Sequence, residues 1–171
     1  MDGRLLSIEP SVGWRVWVCE LQNGSPKLAS IFYPEYWNYE VRAHARCGGG
    51  LVREAEHPSP DPGCECGIWA THELEHALTY APKWLGSPSL IRRHTTFIVG
   101  RVELTGRVDE YELGYRGEYA YPLELFVPEC FEVVDIAREH VIGAAEAARR
   151  LGDLYEIPAR VGSTTPLLVA A

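Results

Sequence analysis

The chain has 171 residues, 46% of them hydrophobic and 23% charged, which suits one core burying roughly two thirds of the extended surface and excludes a disordered chain. Its 24 acidic against 16 basic side chains give a formal charge of −8, which disfavours unaided binding to nucleic acid or to anionic lipid. No run is long and apolar enough to span a bilayer, and Met1-Asp2-Gly3-Arg4-Leu5-Leu6 lacks a secretory apolar core, so the expected setting is the cytoplasm with no membrane contact.

In chain order, residues 13–21 alternate Trp14, Val16 and Val18 against Arg15, Trp17 and Cys19, the pattern of a strand with one strongly buried face. Asn23-Gly24-Ser25-Pro26 predicts a turn, and residues 28–33 and 40–45 predict short strands. Residues 47–67, with Gly48-Gly49-Gly50 and Pro58, Pro60 and Pro62, predict a loop. A helix is predicted from Thr71, as N-cap, to just before Pro82, followed by a Pro/Gly/Ser linker at 82–89. Residues 95–127 are the richest in β-formers, with turns predicted at Thr105-Gly106 and Leu113-Gly114. A second helix is predicted over 140–151, stopped by Gly152. The expected architecture is α+β: an antiparallel sheet, two principal helices and a metal-ordered loop, in one domain over 1–163 with a flexible tail at 164–171.

Five cysteines without an export signal argue against a disulfide framework, and three of them crowd into 20 residues. Cys47, His57, Cys64 and Cys66 supply the three thiolates and one imidazole of a closed tetrahedral zinc site. A C-x-C pair is less diagnostic than C-x-x-C, so an iron–sulfur cluster and a redox thiol pair stay open as alternatives. Cys19 and Cys130 sit in apolar settings and are expected to be core thiols. A loop of about 20 residues is uncommon in a compact domain unless something orders it, and a metal would do so.

The runs Cys64-Glu65-Cys66-Gly67-Ile68-Trp69-Ala70, Gly13-Trp14-Arg15 and Gly114-Tyr115-Arg116-Gly117-Glu118-Tyr119-Ala120-Tyr121-Pro122 resemble a group of small uncharacterised proteins of bacteria, plasmids and phages. The resemblance covers roughly residues 13–127; it implies a metal-binding Cys, His, C-x-C-G pattern and supplies no activity.

His72-Glu73-Leu74-Glu75-His76 also fits H-E-x-x-H, in which His72 and His76 would bind zinc and Glu73 would activate water. Against a metallopeptidase stand the second charge at Glu75, the lack of a metzincin third ligand and the placement of Glu103 in a predicted strand. Trp14, Arg15, Tyr115, Arg116, Glu118, Tyr119 and Tyr121 form a further candidate, since aromatics beside arginines suit binding of a small ligand or nucleotide. Arg92-Arg93-His94 is too short for a nucleic-acid patch, and no P-loop, G-x-G-x-x-G or G-x-S-x-G is present. The sequence therefore favours a zinc-stabilised, non-enzymatic accessory domain that contacts a protein partner, with the hydrolase and the ligand-binding protein as alternatives.

Overall fold

The computed structural model describes residues 9–31, 35–47, 57–80, 96–129, 131–135 and 139–162. The expectations for Gly48-Gly49-Gly50, the linker at 82–89, Arg92-Arg93-His94, Cys130 and the tail lie outside them.

The β-branched and aromatic residues beyond Thr95 form one long hairpin of β5 (Thr96–Tyr111) and β6 (Gly114–Pro128), turning at Glu112-Leu113. Thr105-Gly106 is not the turn its composition predicts. Burial of Val102 and Leu104 on one side and the pairing of Val108 with Gly117 on the other carry β5 straight through, and the one extra residue is absorbed as a bulge. Gly106 takes φ +75 there, and the Arg107 backbone N–H donates to Glu118 Oε2 at 3.0 Å.

β1 (Ser11–Gln22) lies antiparallel along the other edge of β5, from Ser11 opposite Leu104 to Cys19 opposite Thr96. It continues through the Asn23-Gly24 turn, both residues at positive φ, into β2 (Ser25–Ala29). The free edge of β6 takes three partners in succession: β4 (Ile68–Thr71) at residues 114–117, β3 (Ala43–His44) at 119–120, and β9 (Ala159–Gly162) at 125–128. β4 also meets β1 where Thr71 pairs with Trp14, so the ladder β1–β5–β6–β4 closes on itself.

The sheet is mixed, not purely antiparallel, because β9 runs parallel to β6. A parallel pair needs a crossover connection, and residues 129–158 provide it. They hold the hairpin of β7 (Glu132–Asp135) and β8 (His140–Gly143), then the helix that precedes β9.

Among the described residues, two helices cover the sheet: α1 (Leu74–Leu78), against β1 and β4, and α2 (Ala144–Tyr155), against β6 and β9. Both are displaced from their predicted spans. Thr71 belongs to β4, and Glu73 keeps extended backbone as the N-cap, so α1 starts two residues later than expected. Residues 140–143 pair with β7 and bury Ile142, so α2 starts at Ala144. It runs through Gly152 because Leu151 and Tyr155 both bury on its inner face, and Glu156 at φ 54 ends it instead.

Both faces of β1 are buried, not one. Val16 and Val18 pack with Phe97, Val99, Ala77 and Leu78 under α1; Trp17 and Cys19 join the larger cluster with Ile98, Leu125, Leu151 and Tyr155 under α2. The Tyr155 hydroxyl accepts from Leu28 N–H at 3.2 Å and donates to Trp37 O at 2.8 Å, tying α2 to β2 and the chain beyond it.

Candidate metal centre

β6 is the frame of the site. β3 docks on it beside β4, and Ala45 N–H donates to Glu118 O at 2.8 Å, so Cys47 leaves the sheet three residues past His44. Cys64 and Cys66 arrive from the other direction, immediately before β4. Asp61-Pro62-Gly63-Cys64 is a β-turn, with Cys64 N–H donating to Asp61 O at 3.1 Å and Gly63 N–H to Asp61 Oδ1 at 2.8 Å. Gly67, at φ +124, then bends the chain into β4; a Cβ there would stand 2.3 Å from Arg116 Cγ.

The donor atoms of Cys47, His57, Cys64 and Cys66 all lie within 4.8 Å of one another. Cys47 Sγ and Cys64 Sγ are 3.6 Å apart, and Cys66 Sγ is 4.0 Å from His57 Nδ1, which is also 3.1 Å from Pro58 O. Zn–S bonds of about 2.3 Å in a tetrahedron put sulfurs about 3.8 Å apart, so the four residues fit an ion of that size. They are close enough to hold a metal, and all four are partly buried. The thiols are already polarised: the Cys66 backbone N–H and then the Cys47 thiol lower Cys64 to about 7, while the hydrogen bond to Cys64 raises Cys47 to about 11. The hydrogen bond between the two sulfurs thus favours deprotonation of Cys64 over that of Cys47. The Pro58 carbonyl, followed by Cys64, raises His57.

Comparison with protein-family models, curated proteins and solved structures finds no match. The site's chemistry must therefore be read from its own side chains.

Arg116 is the residue whose part in the site the sequence did not reveal. It is 3% exposed, and its guanidinium donates to Cys64 O and to Asp61 O, the latter at 3.1 Å. It also donates to the Tyr111 hydroxyl, pairs with Asp109 at 3.4 Å, and lies 5.4 Å from the Trp69 ring. A cation that the sequence offers to a ligand is thus committed to the turn carrying Cys64. The D-P-G turn was visible in the sequence; its arginine clamp, 52 residues away, was not.

The other candidates do not converge. Trp14 packs on Phe126, Tyr119 stacks on His44 at 4.6 Å, and Arg15 points to the opposite face of β1 from Trp14. H-E-x-x-H is split: His72 N–H donates to Leu113 O, which holds His72 at the end of β4, while His76 is exposed in the last turn of the five-residue α1. The two histidines do not share a helical turn. His72 meets Tyr115 edge-on, with Nε2 3.3 Å from Glu110 Oε1. Among the described residues, no third donor gathers with the pair.

Proposed function

We propose that this protein is a zinc-stabilised, non-enzymatic interaction domain of the cytoplasm. The observation that carries the reading is the gathering of the Cys47, His57, Cys64 and Cys66 donor atoms within 4.8 Å, in a segment whose described residues are also tied down by the Asp61 turn and by Arg107 and Arg116. Three thiolates and an imidazole favour zinc over magnesium or calcium and leave no open position for a substrate. The metal stabilises the fold by joining the ends of β3 and β4 above β6.

The same segment presents the surface that a protein partner would meet. Trp69 and Tyr111, 45% and 39% exposed, lie in ring contact at 5.6 Å over Arg116, and Leu113 is exposed in the adjoining turn. Exposed aromatics held in place are the usual anchors of protein interfaces. Metal removal tests the reading. Stripping the purified protein with a strong chelator under reducing conditions should lower Tm and weaken the near-ultraviolet circular dichroism of the aromatics, and added zinc should restore both. An unchanged melt and spectrum after complete removal of metal would contradict it.

A further inference from the structure

At one end of the sheet, pairing sets Trp69 of β4, Arg116 of β6 and Asp109 of β5 opposite one another, with Tyr111 two residues beyond Asp109 on the same face. Arg116 lies 5.4 Å from the Trp69 ring and 5.1 Å from the Tyr111 ring, and Leu113, 52% exposed, follows in the hairpin turn. The patch is exposed but not loose. Trp69 Nε1 donates to Glu65 O at 3.3 Å and Arg116 donates to the Tyr111 hydroxyl, so both rings are held before anything binds.

The charge around the patch has one sign. Glu65 and Glu112 are exposed, with no ion-pair partner among the described residues, and Glu110 is exposed with His72 at 3.3 Å. The guanidiniums of Arg15, Arg107 and Arg116 reach this end but are turned onto backbone: Arg15 onto Trp69 O, Arg107 onto Pro60 O, and Arg116 onto Cys64 O with Asp109 beside it. Tryptophan and tyrosine are enriched at the centres of protein interfaces, and rim charges of one sign select partners of the other. The formal charge of −8 acts in the same direction at longer range, and the same rim repels nucleic acid and anionic lipid.

Resting on the interaction-domain reading above, we propose that the patch of Trp69, Tyr111 and Leu113 docks a basic segment of a protein partner. Apolar side chains of that segment cover the rings and Leu113, and its arginines or lysines meet Glu65 and Glu112. The rings supply the contact area, and the carboxylates supply the choice of partner.

The full chain, with zinc content determined on the same sample, is titrated with two end-blocked hexapeptides, one alternating arginine with leucine and one alternating glutamate with leucine. The Trp69 indole N–H resonance, assigned by its loss in Trp69→Phe, should shift saturably with the arginine peptide and not with the glutamate peptide. Affinity should fall as salt is raised. Glu65→Gln/Glu112→Gln should weaken binding about 3-fold or more. Glu139→Gln/Asp153→Asn, the same charge change at the β7–β8 turn and on α2, should leave it within about 2-fold. Binding of the glutamate peptide at Trp69 would keep an interaction surface and overturn the basic partner. The proposal is also overturned if neither peptide binds, if the Trp69 resonance stays still while the arginine peptide binds, or if the two double variants weaken binding alike. A sample without zinc that binds the arginine peptide through Trp69 would contradict the metal reading alone and sustain this one.

Discussion

Arg116 connects the sheet to the candidate metal loop through two loop carbonyls, Asp61 O and Cys64 O. Arg116→Met retains the aliphatic volume and removes those bonds, and groups that orient metal ligands commonly change affinity 10–100-fold, so zinc affinity should fall by about that factor in a competition with a chromogenic chelator. An unchanged affinity would mean that the turn holds itself. Gly67→Ala should act on the same loop from the backbone side. The positive φ and the clash with Arg116 Cγ make a cost of about 1–3 kcal/mol expected, read as a lower Tm of the zinc-loaded protein. Cys19 gives a pH signature. Burial, then Glu20, raises its thiol from 9.0 to about 12, so the fold favours the neutral form. That stability is fully present below pH 9 and is lost as pH rises toward 12. Cys47 shifts in the same direction from 9.0 and Tyr155 from 10.0, so Cys19 shares the loss between pH 9 and 10 with Cys47. Cys19→Ala should flatten Tm against pH in that interval; an equally steep decline in the variant would assign it elsewhere.

α2 shows how an element is specified by what it buries. Ala147, Ala148, Leu151 and Tyr155 form its inner face, while Arg149 reaches Asp153 at 3.0 Å on the outside. Leu151→Ala, at a fully buried position, should cost about 2–5 kcal/mol in chemical denaturation. A cost below about 1 kcal/mol would show that α2 does not close the main cluster. The helix's existence was legible from its alanines and apolar spacing, but its ends were not. His140 to Gly143 carry no local mark of the β7 pairing that claims them, and Gly152 has the composition of a stop but lies where burial of Tyr155 continues the helix. Gly106 is the corresponding case in a strand. Thr-Gly suits a turn, and only long-range pairing with Val108 and Gly117 makes it a bulge.

Across the molecule, the sheet-rich α+β character and the four metal-gathering residues were readable, because alternation and Cys/His spacing are local properties. The parallel β9, the closure of β4 onto β1 and the burial of both faces of β1 were not, since each depends on residues far apart in sequence. The same distance hid the division of labour between the two arginines. Arg15 and Arg116 look alike beside their aromatics, but the fold directs one to the Trp69 carbonyl and the Trp37 ring and places the other under the Cys64 turn. Among the described residues, no helix is long and apolar enough to cross a membrane.

Metal content of the purified protein, by elemental analysis on wild type, Cys64→Ser/Cys66→Ser and His72→Ala/His76→Ala, tests the central claim most directly. The expected result is one zinc per chain in the wild type and the histidine variant, and none in the cysteine variant. Zinc retained without the two cysteines, or lost only with His72 and His76, would contradict it.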